Sequence, residues 1–144
     1  MKILSRQLTL DLYNCNEKRM SQVDEIKKLL QEAVGEAPRL IDQKIDAEHC
    51  AIVGVFLEGH IALHIYGDLR YVAADIFTCA ENTEPDEISK VLRKFFQPEK
   101  VKSTFLKRGD LGKSDVKPKI KTRVAPLRKV KNAVVKTLVR RGDL

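Results

Sequence analysis

Two of the three histidines and two of the three cysteines of this 144-residue chain fall in one stretch, Cys50 to Cys79. At its centre stands Glu58-Gly59-His60, with His64 four residues further on. On a strand, residues four apart point to the same side, so His60 and His64 would share a face, and Cys79 would end a neighbouring strand. Two imidazoles and a thiol are good zinc ligands, and a Cys–His pair is a nucleophile with its base. The same residue types also fill ordinary core and surface positions. No further cysteine or acid stands at metal-ligand spacing, so a metal is not expected.

The elements that would position these residues are legible from periodicity. Arg6 to Tyr13 alternates Leu8, Leu10 and Leu12 with Thr9 and Asp11, the period of a half-buried strand. Ser21 to about Glu36 reads as a helix, with Ser21 and Asp24 at capping-box spacing and Val23, Ile26, Leu29, Leu30, Ala33 and Val34 on one face. Arg39 to Glu48 fits an extended segment or a loop. Strands follow from Ala51, over His60–Tyr66 and over Tyr71–Cys79, with Gly67-Asp68 as a turn. Short connections imply antiparallel pairing. Thr83 to Phe96 reads as a second helix, capped by Thr83 with Pro85 in its first turn. Lys100 to Leu106 alternates as a last strand. The expected fold is α+β, an antiparallel sheet with two helices packed on one face.

Charge divides the chain. Residues 1–111 carry 16 Lys+Arg against 18 Asp+Glu, and residues 112–144 carry 11 against 2. The expected organisation is a domain over 1–111 and a basic tail over 112–144. In the tail, the stretch with Pro118 and Pro126 reads as an exposed linker. Leu127, Val130, Val134 and Leu138 are spaced for one face of an amphipathic helix. Such a tail suits an anionic partner, whether membrane, nucleic acid or an acidic protein, or serves as a solubilising extension or a helix packed on its own domain. The N-terminus lacks an unbroken apolar core and no run of 18 apolar residues occurs, so a cytosolic protein with reduced thiols is expected.

The segment GVFLEGHIALHIYGDLRYVAADIFTC resembles the processing region of the prokaryotic S-adenosylmethionine decarboxylases. The family pattern there is roughly S-E-S-H-x-x-x-H-T-W-P-E followed by Y-A-x-x-D-x-F/Y-T-C-G. Glu58, His60, His64, Tyr71, Asp75, Thr78 and Cys79 stand in register with it. The resemblance implies an α+β fold, a dimer and a pyruvoyl cofactor made by self-cleavage between the Glu and the following Ser. It implies that His64 assists processing, that Cys79 donates a proton during turnover, that Asp68 contacts the substrate ribose, and that the product feeds spermidine synthesis.

The chain departs from that pattern where the chemistry starts. The pyruvoyl-forming Ser position is Gly59, which has no oxygen to attack the Glu58 carbonyl. The family's second processing serine falls on Ala51, and T-W-P-E is Ile65-Tyr66-Gly67-Asp68. The expected protein is a non-processing relative with no cofactor of its own. It would bind S-adenosylmethionine or a related nucleoside or amine, as a homodimer or paired with an active family member. Two other readings stand beside it. One is decarboxylation with an electron sink supplied from outside, such as pyridoxal phosphate, although residues 45–89 contain no lysine. The other is nucleic-acid or membrane binding through the tail.

Overall fold

The computed structural model describes residues 5–35, 39–79, 81, 83–109 and 117–126. Seven strands form one antiparallel sheet: β1 (Ser5–Tyr13), β2 (Arg39–Lys44), β3 (His49–Phe56), β4 (Gly59–Tyr66), β5 (Tyr71–Thr78), β6 (Lys100–Arg108) and β7 (Ile120–Pro126), in the spatial order β2-β3-β4-β5-β1-β6-β7. β2 to β5 are a meander. β1 joins it by pairing with β5 on one side and β6 on the other. The helices are α1 (Glu17–Met20), α2 (Val23–Ala33) and α3 (Pro85–Phe96).

Alternation puts Leu8, Leu10 and Leu12 of β1 beside Val72, Ala74 and Ile76 of β5, and these beside Ile61, Leu63 and Ile65 of β4. All nine are buried. The helices cover them with Ile26 and Leu30 of α2 and Ile88, Leu92 and Phe96 of α3. Each such side chain contributes about 1.5–3 kcal/mol when fully withdrawn from water. Only this face of the sheet is covered by described elements. The other carries half-buried aromatic and polar side chains between apolar margins, where Ile41, Val55, Ile120 and Val124 are more than half exposed.

Three local expectations change, and the open reading of the segment from Arg39 is resolved as extended. Ser21 does not cap the first long helix. The Asn16 side chain caps α1 by accepting from the Lys18 N–H, Ser21 is the C-terminal cap of that turn, and α2 starts at Val23 without a side-chain cap. Burial of Cys15 and Met20 draws this turn into the core first, so the chain must break before α2 begins. Thr83 does not cap α3. Pro85 keeps Glu84 extended (φ −88°, ψ 124°), which makes Glu84 the cap position, and the Thr83 carbonyl accepts from Arg6 instead. The segment from Arg39 forms the edge strand β2. Within the expected linker, β7 is a strand paired with β6 along its length. The expected tail helix from Leu127 lies outside the described residues. No helix among the described residues is long and apolar enough to cross a membrane.

Candidate functional site

The motif residues collect at two ends of the sheet, with His60 and His64 on its open side and position 59 on the helix-covered side that it shares with Phe56 and Thr78. At one end, Leu57-Glu58 is the two-residue turn between β3 and β4, and Gly59 opens β4 opposite Thr78 of β5. Cys79 follows directly, and its backbone N–H donates to the Glu58 carbonyl at 2.7 Å. The carbonyl that a residue-59 nucleophile would attack is therefore polarised by a fixed amide donor, the arrangement that stabilises a developing oxyanion. The Cys79 side chain is exposed. His60 is exposed and stacks on Phe77, 5.2 Å between ring centroids.

Gly59 is enclosed. A Cβ built on it would overlap the Phe77 carbonyl oxygen and would lie 2.7 Å and 2.8 Å from Cε2 and Cζ of the Phe56 ring. Thr78 supplies a hydroxyl across the strand pair, but its side chain is fully buried on the helix-covered face.

At the other end, His64 stands opposite Ala51, five residues from Gly59 along β4. At about 3.4 Å per residue that is roughly 17 Å, beyond direct contact. His64 Nδ1 is 2.8 Å from His49 Nε2, and the ring of His49 stacks on Tyr66 at 4.1 Å. Tyr66, Tyr71 and Tyr13 continue this as a row across β4, β5 and β1, with Lys102 over the Tyr13 ring. The Tyr71 hydroxyl donates to Asp11. Burial, then that carboxylate, pushes the Tyr71 hydroxyl well above the ordinary tyrosine range. Asp68 lies exposed in the turn after β4, where its Oδ1 accepts from the Leu69 N–H.

The structure thus brings Glu58, Gly59 and Cys79 together, and His64 with Ala51, near the turn that holds Asp68. It does not bring the two groups together within one chain. Among the described residues, no group of three or more His, Cys, Asp or Glu is arranged to hold a metal. A cleft of about 780 Å³ opens between the start of α2 and the β2–β3 hairpin, bordered by Asp24, Asp42, Glu48 and His49. Of the motif residues, none of Glu58, Gly59, His64, Asp68 and Cys79 lines it.

Sequence reasoning passed over His49 and Phe56. His49 acquires its role only through hairpin register, which sets it within reach of a residue fifteen positions away. Phe56 was read as one member of an apolar run. Its ring turns back over Gly59 because the hairpin loop is only two residues long.

The sequence profile of the S-adenosylmethionine decarboxylase family matches residues 6–109. An S-adenosylmethionine decarboxylase proenzyme from Methanococcus maripaludis is 31% identical over 121 residues, covering 81% of this chain and 99% of that one. One from Moorella thermoacetica is 27% identical over 113 residues, covering 76% and 90%. The crystal structure of the adenosylmethionine decarboxylase from Aquifex aeolicus superposes with a TM-score of 0.68 at 18% identity, over 76% of this chain and 93% of that one. That of the Trypanosoma brucei protein gives 0.55 at 15% identity, over 70% and 45%.

Proposed function

Because the chain belongs to the S-adenosylmethionine decarboxylase family, we propose that it serves polyamine (spermidine) biosynthesis as a non-processing member. It binds S-adenosylmethionine or a related nucleoside or amine and forms no pyruvoyl group. The observation that carries this is the state of position 59. Forming a pyruvoyl group requires both the side-chain oxygen, as nucleophile and then leaving group, and the Cβ of the residue after the cut. The hydroxyl attacks the preceding carbonyl to give an ester, elimination then breaks the Cβ–O bond, and hydrolysis replaces nitrogen by oxygen. Gly59 has neither atom. Thr78 cannot substitute, because an attack from β5 would leave no Cβ–O bond on residue 59 to eliminate. The residues present do not fit the cofactor, and the backbone has closed around the missing side chain.

The rest of the motif supports a retained pocket assembled from two chains. Glu58 and Cys79 lie at one end of the open face, beside the backbone of Gly59, and His64 and Asp68 at the other. A two-fold axis parallel to that face and running across its strands would place one end against the opposite end of a second copy, or of an active relative, and complete two sites. Seven strands at about 4.8 Å and eight residues at about 3.4 Å give the face an area on the order of 900 Å². That is sufficient for the roughly 800 Å² per partner of a standard stable interface.

Intact-mass measurement of the purified chain tests the processing claim. One unsplit chain of 16.4 kDa is expected. Two fragments, the second beginning with a blocked residue 59, would overturn it. Calorimetric titration with S-adenosylmethionine and with its decarboxylated product tests the pocket, and heat of binding for neither would remove the ligand-binding role.

A further inference from the structure

The β6–β7 ribbon, with the residues 117–119 that lead into β7, carries eight Lys+Arg and no Asp or Glu. The cations differ in what they meet. On the open face, Lys102 stands beside Asp11 in the register and over the Tyr13 ring, and Arg108 donates to Gln7 and lies over Phe77. Those charges are engaged by the fold. Lys107, Lys117, Lys119, Lys121 and Arg123 are exposed and have no acidic partner among the described residues.

Four of these five share a side of the ribbon. Lys121 and Arg123 stand opposite Phe105 and Ser103, and extending the Leu106–Ile120 pair by one step sets Lys119 opposite Lys107. Alternate residues on a strand are about 7 Å apart, so Lys119, Lys121 and Arg123 form a straight row with Lys107 beside its end. β7 is also the outermost strand of the sheet. Its outward backbone N–H groups add donors of the kind that contact phosphate oxygens.

We infer that this edge of the sheet binds the phosphate backbone of a nucleic acid. A regular row of cations on an extended edge matches a polymer whose negative charge recurs at every nucleotide. The apolar residues of β7 argue against a membrane. Ile120 and Val124 point to the opposite side of the strand from Lys121 and Arg123, and the cations on their own side, Lys102 and Arg108, lie over the Tyr13 and Phe77 rings, so the row of exposed cations does not share a plane with the apolar groups, as interfacial binding requires. Lysines on an edge strand also guard against unwanted strand addition. That role does not account for Lys107 on β6, nor for a ribbon without a single acid. This inference is independent of the ligand-binding role.

The test is fluorescence anisotropy of the full chain with a labelled mixed-sequence single strand and with its duplex, across a salt series. Wild type is expected to bind, with log K falling linearly against log salt. The variant Lys119→Gln/Lys121→Gln/Arg123→Gln should bind at least about tenfold more weakly at low salt. Its slope should be shallower by about 2 on single strands or about 3 on duplex, at about 0.7 or 0.9 per lost phosphate contact. Lys18→Gln/Lys28→Gln removes charge from α1 and α2 and should change neither quantity. Circular dichroism and the thermal midpoint should be the same in all three proteins, because the substituted positions are exposed. An unchanged slope in the triple variant overturns the inference, since binding would then belong to another part of the chain. So does association with phosphatidylserine vesicles but with neither oligonucleotide.

Discussion

A methyl group at position 59 is expected to destabilise this fold, although the same change in an ordinary strand stabilises it. Replacing a strand glycine by alanine gains about 0.5–1 kcal/mol, largely by restricting the unfolded chain. Here the new Cβ would overlap the Phe77 carbonyl oxygen and press within 2.8 Å of the Phe56 ring. Neither obstacle is a flexible side-chain end. Phe77 is held by its strand neighbours His60 and Gln7, and Phe56 is only 7% exposed. Overlap with a backbone oxygen places the cost in the upper part of the usual overpacking range, at about 2–3 kcal/mol, which leaves a net loss of about 1–2.5 kcal/mol. For a chain of this size the thermal midpoint should fall by roughly 3–8 °C. Gly59→Ala adds the Cβ alone and is the clean probe, and Gly59→Ser should lose a similar amount. Thermal unfolding followed by circular dichroism measures both, with urea unfolding to verify that m is unchanged. A Gly59→Ala midpoint at or above wild type would refute the close approach. Intact mass of Gly59→Ser adds a second reading. The variant is expected to stay in one piece, because Ala51 still lacks its hydroxyl and the strand is closed. Self-cleavage would show that the strand opens far enough for the acyl shift.

Three other outcomes follow from the geometry. In a timed alkylation followed by peptide mass spectrometry, Cys79 should label first, Cys50 more slowly and Cys15 last. Cys79 is exposed, whereas burial raises the other two thiols, Cys15 to about 12. Cys15 also makes stability fall with rising pH. Its folded-state value lies above the unfolded value near 9.0, so the unfolded chain loses its proton first, and denaturant midpoints should decline between about pH 9 and 12 by up to roughly 1.4 kcal/mol per pH unit. Cys15→Ala should flatten that decline. Finally, sedimentation of the full chain should show a dimer, and Val55→Asp, on the exposed margin of the open face, should shift it to monomer without loss of secondary structure. A monomer at all concentrations in the unmodified chain would remove the two-chain pocket.

Most of the elements could be read without coordinates because their apolar residues keep strict periods. Leu8, Leu10 and Leu12 alternate, and Ile26 with Leu30, or Ile88 with Leu92, recur at helical spacing. The failures were of another kind. Ser21 and Thr83 are sound capping residues in isolation, and their neighbours decided against them. Burial of Met20 forms a separate turn ahead of α2, and Pro85 fixes the conformation of Glu84. β7 was missed because its alternation of Ile120, Thr122 and Val124 with Lys121 and Arg123 is short and lies within a lysine-rich, proline-flanked stretch. Its order comes from backbone pairing with β6, which places no demand on side-chain type.

At the motif, the sequence alone determined the chemistry that is absent. No arrangement of the chain can give Gly59 a hydroxyl, so residue 59 itself has no nucleophile for an acyl shift. Tertiary structure decided what surrounds that loss. The extended rise of β4 carries His64 and Asp68 away from Gly59 and Cys79 within the chain. The β3–β4 register gives His64 a partner in His49. Phe56 and the Phe77 carbonyl come from two different strands, and only their pairing on either side of Gly59 leaves room for a hydrogen and nothing larger.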